Sequence, residues 1–231
     1  MLCLSISHLP EVRYAVSLSG ARPRRHRRQQ HGCHPFSVLP GLSGAGAPRP
    51  FVYAGRLFPE NFDPGIIPLF KDELGFTDGE LEGEYQFWQN WVATRVPEAY
   101  PGMREILERY KARGGKIAVV SHSVSDVIRR DYRENGLPEP DLIFGWELPP
   151  EHRKPHVWPL EQIMKEFQLA PEQLLMLDDL KPGYDMCRAA GVPFAAAGWA
   201  NDIPEIEGYM RRNCDYYFKT VAAFGNFLEQ Q

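Results

Sequence analysis

The chain lacks the features that mark membrane, disulfide-rich and zinc-binding proteins. Its 231 residues contain no apolar run close to the roughly 20 residues that a membrane-spanning helix needs. The four cysteines are scattered, with no Cys-x-x-Cys pair, at Cys3, Cys33, Cys187 and Cys214. This spacing argues against a disulfide framework or a clustered zinc site and favours a reducing compartment. We therefore predict a cytoplasmic protein that does not associate with membranes.

The first fifty residues also lack lysine and nearly all acidic side chains. They contain seven Arg, no Lys and one acid, Glu11, although the whole chain has a net charge of −4. A short strand is conceivable over residues 13–19, but Ala21–Pro50 has neither helical nor strand periodicity, so we expect disorder there. An Arg-rich patch that binds nucleic acid is an alternative, which we rank below an aberrant segment.

From residue 99 onward, short apolar strands alternate with amphipathic helices. Strands are predicted at Lys116–Val120, Asp141–Phe144, Leu174–Leu177, Val192–Ala196 and Tyr216–Phe218. Helices between successive strands indicate an α/β fold, with a parallel sheet covered by helices on both faces. The preceding residues 51–98 are rich in aromatic side chains and include a predicted helix over 78–96, so we interpret them as a small helical module.

Two adjacent carboxylates, Asp178 and Asp179, follow the apolar run 174–177. A run of this length is typical of a strand buried on both faces, and ligands bind at the carboxyl ends of such strands in open α/β sheets. Two like charges at this edge need neutralising, and Mg²⁺ prefers carboxylate oxygens. We predict a Mg²⁺ site at Asp179 and Asp178, against the alternative of a solvated turn.

Two further polar residues lie near predicted strand and helix ends. Ser121 ends the strand 116–120, where its hydroxyl and the backbone N–H groups that follow can hold a phosphoryl oxygen. The alternative for Ser121 is a helix N-cap, and both roles are compatible. Lys154 precedes a predicted helix, where an ammonium can neutralise a phosphoryl group, although a surface lysine is the simpler reading. Cys187 lies on a predicted helix and is interpreted as packing.

These motifs, in this order, resemble those of the haloacid dehalogenase superfamily of phosphohydrolases. The resemblance runs from about Phe51 to the C-terminus and rests on Val119-Val120-Ser121, on Lys154, and on Leu177-Asp178-Asp179 followed by Ala189-Ala190-Gly191. It implies a Rossmann-like α/β core at 99–231 and a small helical cap at 51–98. The family spacing back from Ala189-Ala190-Gly191 points to Asp179 as the metal ligand, while Gly183 stands where many relatives have another acid.

The resemblance also implies an activity and a set of roles. The implied activity is that of a Mg²⁺-dependent phosphatase, which acts on a small phosphorylated metabolite through an aspartyl-phosphate intermediate. Ser121 and Lys154 would be the catalytic residues that hold the phosphoryl group, and Asp179 and Asp178 would hold the Mg²⁺. The oligomeric state does not follow from these motifs.

The family's nucleophile motif, Asp-x-Asp-Gly, is missing, because residues 1–58 contain no Asp. A non-catalytic homologue, a variant chemistry and a wrong N-terminal reading frame compete as explanations, and we favour the third. If the arginines of Ala21–His26 are encoded by CGN codons, reading this stretch one nucleotide later permits the sequence Leu-Asp-Leu-Asp-Gly-Thr. That sequence contains the missing motif. Our hypothesis is a frameshift over about residues 17–50, testable by resequencing the locus. We expect little turnover from the chain as written; the alternative is an inactive binding or scaffold protein.

Overall fold

The computed structural model describes the backbone of Leu2–Ser5 and residues 62–231, with the side chain of Trp91 left out. The predicted strand over 13–19, the Arg-rich segment and the frameshift hypothesis all lie outside these residues. The chain divides into two compact units, with the boundary between Val96 and Pro97, and Leu2–Ser5 belongs to the unit that contains residues 97–231. Within the described part, no helix has the length and apolar character needed to cross a bilayer.

The larger unit is built on a six-stranded sheet with the order β3-β2-β1-β4-β5-β6. The strands are β1 Leu2–Ser5, β2 Ala118–Val120, β3 Leu142–Phe144, β4 Leu174–Asp178, β5 Phe194–Ala197 and β6 Tyr216–Phe218. β2 pairs in parallel with β3, and β4, β5 and β6 are parallel to one another. The α/β fold predicted from the alternation of strands and helices is confirmed.

The central strand β1 departs from the parallel pattern. It runs antiparallel to both neighbours, pairing two residues with β2 and four with β4, from Leu2 opposite Leu177 to Ser5 opposite Leu174. Two buried strands that face an empty slot would leave their backbone N–H and C=O groups without partners. A short segment in either direction satisfies those groups, and here an antiparallel one does so.

Seven helices of nine residues or more are present in the described part of the chain. They are α1 Asp78–Ala93, α2 Met103–Ala112, α3 Ser125–Glu134, α4 Trp158–Phe167, α5 Lys181–Ala190, α6 Pro204–Asn213 and α7 Val221–Glu229. Glycines with positive φ follow three of them, at Gly114, Gly136 and Gly191. Each of these three helices ends just before a glycine that adopts the left-handed conformation without strain.

The core lies on both faces of the sheet because successive strand residues point to opposite sides. On one face, Leu175 and Leu177 of β4 join a buried cluster with side chains of α2 and α7. On the other face, Met176 meets Cys187 of α5, with 3.0 Å between the two sulfur atoms. Cys187 is fully buried, which agrees with its interpretation as a packing residue.

The described part of the second unit, residues 62–96, is helical. Helix α1 begins with a capping box, in which Thr77 Oγ1 accepts a hydrogen bond from Glu80 N at 3.3 Å and Glu80 Oε2 accepts one from Thr77 N at 2.8 Å. The helix ends at Ala93, three residues before the predicted end at Val96. Its neighbours Leu69 and Phe70 are buried, and Phe70 stacks on Phe76 with 5.0 Å between ring centroids.

Candidate active site

The predicted site residues stand out by their burial. Among the described residues, only five polar or charged side chains are buried. Four of them are the residues selected from the sequence, Ser121, Lys154, Asp178 and Asp179. Burying a charge is costly unless it is paired, so such a concentration of buried polar groups is a feature of functional sites rather than of a simple core.

Asp178 and Lys154 form a buried ion pair at the carboxyl end of β4. Lys154 Nζ lies 3.3 Å from Asp178 Oδ2, and the two side chains are 2% and 0% exposed. Asp178 Oδ1 accepts a hydrogen bond of 2.8 Å from the backbone N–H of Asp179. Burial alone would raise the pKa of Asp178, but the Lys154 charge and this hydrogen bond outweigh it, so the pKa lies below its ordinary value. The carboxylate is therefore ionised at neutral pH.

Helix α5 brings its first turn directly against this carboxylate. Pro182 stands at the second helical position, where its missing N–H costs nothing. A Cβ added to Gly183 would lie 2.2 Å from Asp178 Oδ2, so only glycine allows this approach. The space that a side chain at position 183 would need is filled by the Asp178 carboxylate. The positive end of the helix dipole also favours the negative charge at this point.

Asp179 lies at the same sheet edge but faces a different neighbourhood. Its side chain is 7% exposed, and it lines a small cavity beside the end of β5 together with Ala197, Gly198 and Asn201. Asp179 directly follows the last residue of β4. The two carboxylates are not equivalent: Asp178 is held by Lys154, and Asp179 borders a cavity.

Ser121 follows β2 and begins a tight turn. Its Oγ accepts a hydrogen bond of 3.1 Å from Ser123 N, and its own N–H donates to Phe144 O at 2.9 Å. The alternative role of Ser121 as the N-cap of the following helix is excluded, because α3 begins at Ser125 with Val124 as its N-cap. The Glu147 carboxylate caps that helix instead, accepting from Ser125 N at 3.1 Å.

Three residues that the sequence did not single out as a group connect the loops after β2 and β3. The rings of His122 and Trp146 meet edge to face, with 5.3 Å between centroids, and the Arg153 guanidinium lies 4.3 Å from the Trp146 centroid. Burial, followed by the charge of Lys154, lowers the pKa of His122 to about 3 against the opposing effect of Asp178. The one signal for His122 in the sequence is its position directly after Ser121.

Few of the described residues could serve as metal ligands. In the described residues, no group of three or more His, Cys, Asp or Glu side chains is arranged to hold a metal ion. Two carboxylates nevertheless match Mg²⁺, which is usually bound by one or two carboxylates with water and substrate phosphate. The central strand β1 has the sequence Leu-Cys-Leu-Ser, so it carries no carboxylate.

Comparison with known proteins identifies the same family as the motifs. The family model described as haloacid dehalogenase-like hydrolase matches residues 76–197, more than half of the chain. A phosphoglycolate phosphatase of Haemophilus influenzae is 26% identical over 147 residues, which cover 62% of this chain and 63% of that protein. The matched region thus spans less than two thirds of that curated relative.

Solved structures share the fold. A structure described as a haloacid dehalogenase-like hydrolase from Bacteroides fragilis matches with a TM-score of 0.61 and 21% identity, covering 74% of this chain and 83% of that one. A structure described as a phosphoglycolate phosphatase from Lactobacillus plantarum matches with a TM-score of 0.59 and 20% identity, covering 73% of this chain and 78% of that one.

Proposed function

Because this chain belongs to the haloacid dehalogenase-like hydrolase family, we propose that it is a Mg²⁺-dependent phosphatase whose turnover is impaired in the chain as written. The observation that carries the proposal is the buried Lys154–Asp178 pair beside Asp179, at the edge of the sheet that also carries Ser121. A cation that can hold a phosphoryl oxygen and carboxylates that can hold Mg²⁺ are what phosphoryl transfer requires.

The substrate class proposed is a small phosphorylated metabolite. The name of the relative from Haemophilus influenzae makes phosphoglycolate the first compound to test. Residues 51–98 are proposed to be the family's cap, and the cytoplasm is the proposed compartment. Nucleic acid is not proposed as a partner.

Each residue has a proposed role in binding. Ser121 Oγ and the backbone N–H groups after it hold phosphoryl oxygens, and Lys154 neutralises their charge. Asp179, with Asp178 beside it, holds Mg²⁺, which when bound withdraws charge from the phosphoryl group. The low pKa of Asp178 supports its role, because an ionised carboxylate is the form that binds a hard cation.

The chemical step needs a nucleophile that the chain as written does not contain. An aspartyl-phosphate mechanism requires a carboxylate at the end of the central strand, and no Asp precedes Asp63. The same observation favours the second candidate, a non-enzymatic binding or scaffold protein. Both candidates bind phosphate; only the first hydrolyses a phosphomonoester when the missing motif is restored.

The experiment is a hydrolysis assay with p-nitrophenyl phosphate and phosphoglycolate, with and without Mg²⁺. It compares this chain with a version in which the shifted reading frame replaces residues 17–50. We expect Mg²⁺-dependent release of phosphate from the restored version only. Absence of activity in both versions would overturn the phosphatase proposal and leave the binding protein. A matched control is the restored version with Asp179→Asn, which we expect to lose Mg²⁺ dependence together with activity.

A further inference from the structure

The loop that carries Ser121 is joined to the first residues of the segment that carries Lys154. Ser121 N donates to Phe144 O, and Trp146 N donates to Ser123 O, both at 2.9 Å. Glu147 then accepts a hydrogen bond from Ser125 N at 3.1 Å. The segment after β3 therefore follows the segment after β2 as far as the start of α3.

His122 lies where this joined pair of loops reaches Lys154. One of its neighbours is Trp146, whose ring also contacts the guanidinium of Arg153, the residue directly before Lys154. Besides burial, the Lys154 charge lowers the pKa of the imidazole and the Lys154 backbone raises it, so the ring lies close to both. The ring is also linked to the Lys154 segment through Trp146.

We propose that His122 is a positioning residue, whose imidazole holds the Lys154 backbone so that the ammonium stays beside Asp178 and in reach of a bound phosphoryl group. The part that concerns the phosphoryl group rests on the function proposed above. Lys154 has a long side chain with many rotamers, and its 3.3 Å approach to Asp178 fixes only one end of it. A hydrogen bond at the backbone fixes the other end.

A direct role of His122 in proton transfer fits the structure less well. With its pKa lowered to about 3, the ring is neutral near pH 7 and is a poor general base there. A neutral imidazole has one N–H to donate. The backbone carbonyl of Lys154 is the acceptor that suits it.

The test measures how well Lys154 is held, without any need for turnover. The full chain is treated with acetic anhydride, and acetylation of Lys154 is followed by mass spectrometry with and without inorganic phosphate. His122→Phe keeps an aromatic ring against Trp146 but removes the donor, and His122→Gln keeps a donor. His156→Phe, at an exposed histidine two residues from Lys154, is the matched control.

We expect Lys154 in His122→Phe to be acetylated about tenfold faster than in the wild type, and phosphate to bind about tenfold more weakly, the scale seen when an outer hydrogen bond to a binding residue is lost. His122→Gln and His156→Phe should stay within about twofold of the wild type. Equal acetylation rates in His122→Phe and wild type would overturn the proposal. An equal rise of the Lys154 acetylation rate in His122→Phe and His122→Gln would also overturn it, since that result indicates that only the packing of the ring matters.

Two further measurements keep the test decisive. Thermal unfolding of each variant shows whether the fold is intact. If His122→Phe does not fold, Trp146→Leu replaces it and must also speed acetylation of Lys154, or the proposal fails. If Lys154 of the wild type is acetylated slowly but phosphate neither binds nor protects it, the proposed function fails. The acetylation rates of the variants still decide the role of His122 in that case.

Discussion

The α-carbon of Gly183 lies so close to the Asp178 carboxylate that a Cβ there would be 2.2 Å from Oδ2. Real Cβ atoms do not approach another atom so closely, so a side chain at position 183 must displace the carboxylate or the helix. Asp178 is also the partner of Lys154, with 3.3 Å between Oδ2 and Nζ. The first turn of α5, the carboxylate and the ammonium therefore depend on one another for their positions.

The first prediction is that Gly183→Ala destabilises the protein by about 1–3 kcal/mol, because a methyl group is forced into an occupied space. The measurement is the free energy of unfolding in urea. Gly79→Ala is the control, since Gly79 also lies in the first turn of a helix and its added Cβ meets nothing within 4 Å. The control should be neutral or stabilising by up to about 1 kcal/mol. A Gly183→Ala variant as stable as the wild type would contradict the packing described.

The second prediction concerns the buried ion pair. Lys154→Met should cost about 3–5 kcal/mol, because it leaves the Asp178 carboxylate buried without its cation. Lys154→Met combined with Asp178→Asn should recover part of that loss, which a double-mutant cycle in urea measures. Lys181→Met is the control: its partner Asp185 lies 3.0 Å away at a more exposed site, and such pairs contribute about 0–1 kcal/mol. If the losses of stability in Lys154→Met and Asp178→Asn add up to the loss in the double variant, the two side chains are not coupled.

The third prediction is the behaviour of the same pair in acid. The pKa of Asp178 is lowered in the folded state, so the stability it contributes is present above the unfolded pKa of about 3.9 and is lost as the pH falls through the folded pKa. The difference in unfolding free energy between wild type and the double variant should therefore shrink below about pH 4. Urea unfolding at pH 7, 4 and 3 measures it, and a constant difference would argue against an ionised Asp178.

The fourth prediction concerns Glu84, the buried carboxyl group of α1. Its side-chain oxygens have no hydrogen-bond partner in the described part of the chain, and burial raises its pKa from 4.5 to about 7. An acid with a raised pKa destabilises the fold progressively as the pH rises from 4.5 to about 7, because only the unfolded chain ionises freely. Glu84→Gln should therefore match the wild type near pH 4 and exceed its stability by about 2 kcal/mol at pH 8.

Thermal unfolding at the two pH values, followed by circular dichroism, checks this prediction. Glu82→Gln is the control because Glu82 lies on the exposed side of the same helix. It should show no gain that depends on pH. If Glu84→Gln is less stable than the wild type at pH 8, the ionised carboxylate is stabilised in the folded protein, which contradicts the prediction.

The strands and helices of the larger unit could be predicted because their signals are local. β4 is an apolar run that ends in the first of two adjacent acids. Helix α5 ends at Gly191, which has the left-handed conformation that glycine favours. The four candidate site residues could be selected because three motifs follow one another along the chain, each at the end of a strand or the start of a helix. Their burial, and the pairing of Lys154 with Asp178, then agree with that selection.

Other features could not be predicted because they depend on contacts between distant segments. The direction of β1 is not encoded in its four residues, since a buried backbone slot can be filled by a strand of either direction. The cap of α3 could not be predicted because it comes from another loop: Ser121 Oγ accepts a hydrogen bond from Ser123 N, and Glu147 accepts one from Ser125 N. The contact of Gly183 with Asp178 requires the helix position to be known.

The antiparallel β1 has a consequence for folding and solubility. β2 and β3 form one hydrogen-bonded block and β4, β5 and β6 another, and four residues from the far end of the sequence join them. Such a link has a high contact order, so we expect it to form after the blocks themselves. Until then, β2 and β4 each present an open apolar edge, which is a template for intermolecular strand pairing. A chain shortened by its first five residues would keep both edges open permanently, and aggregation is its expected fate.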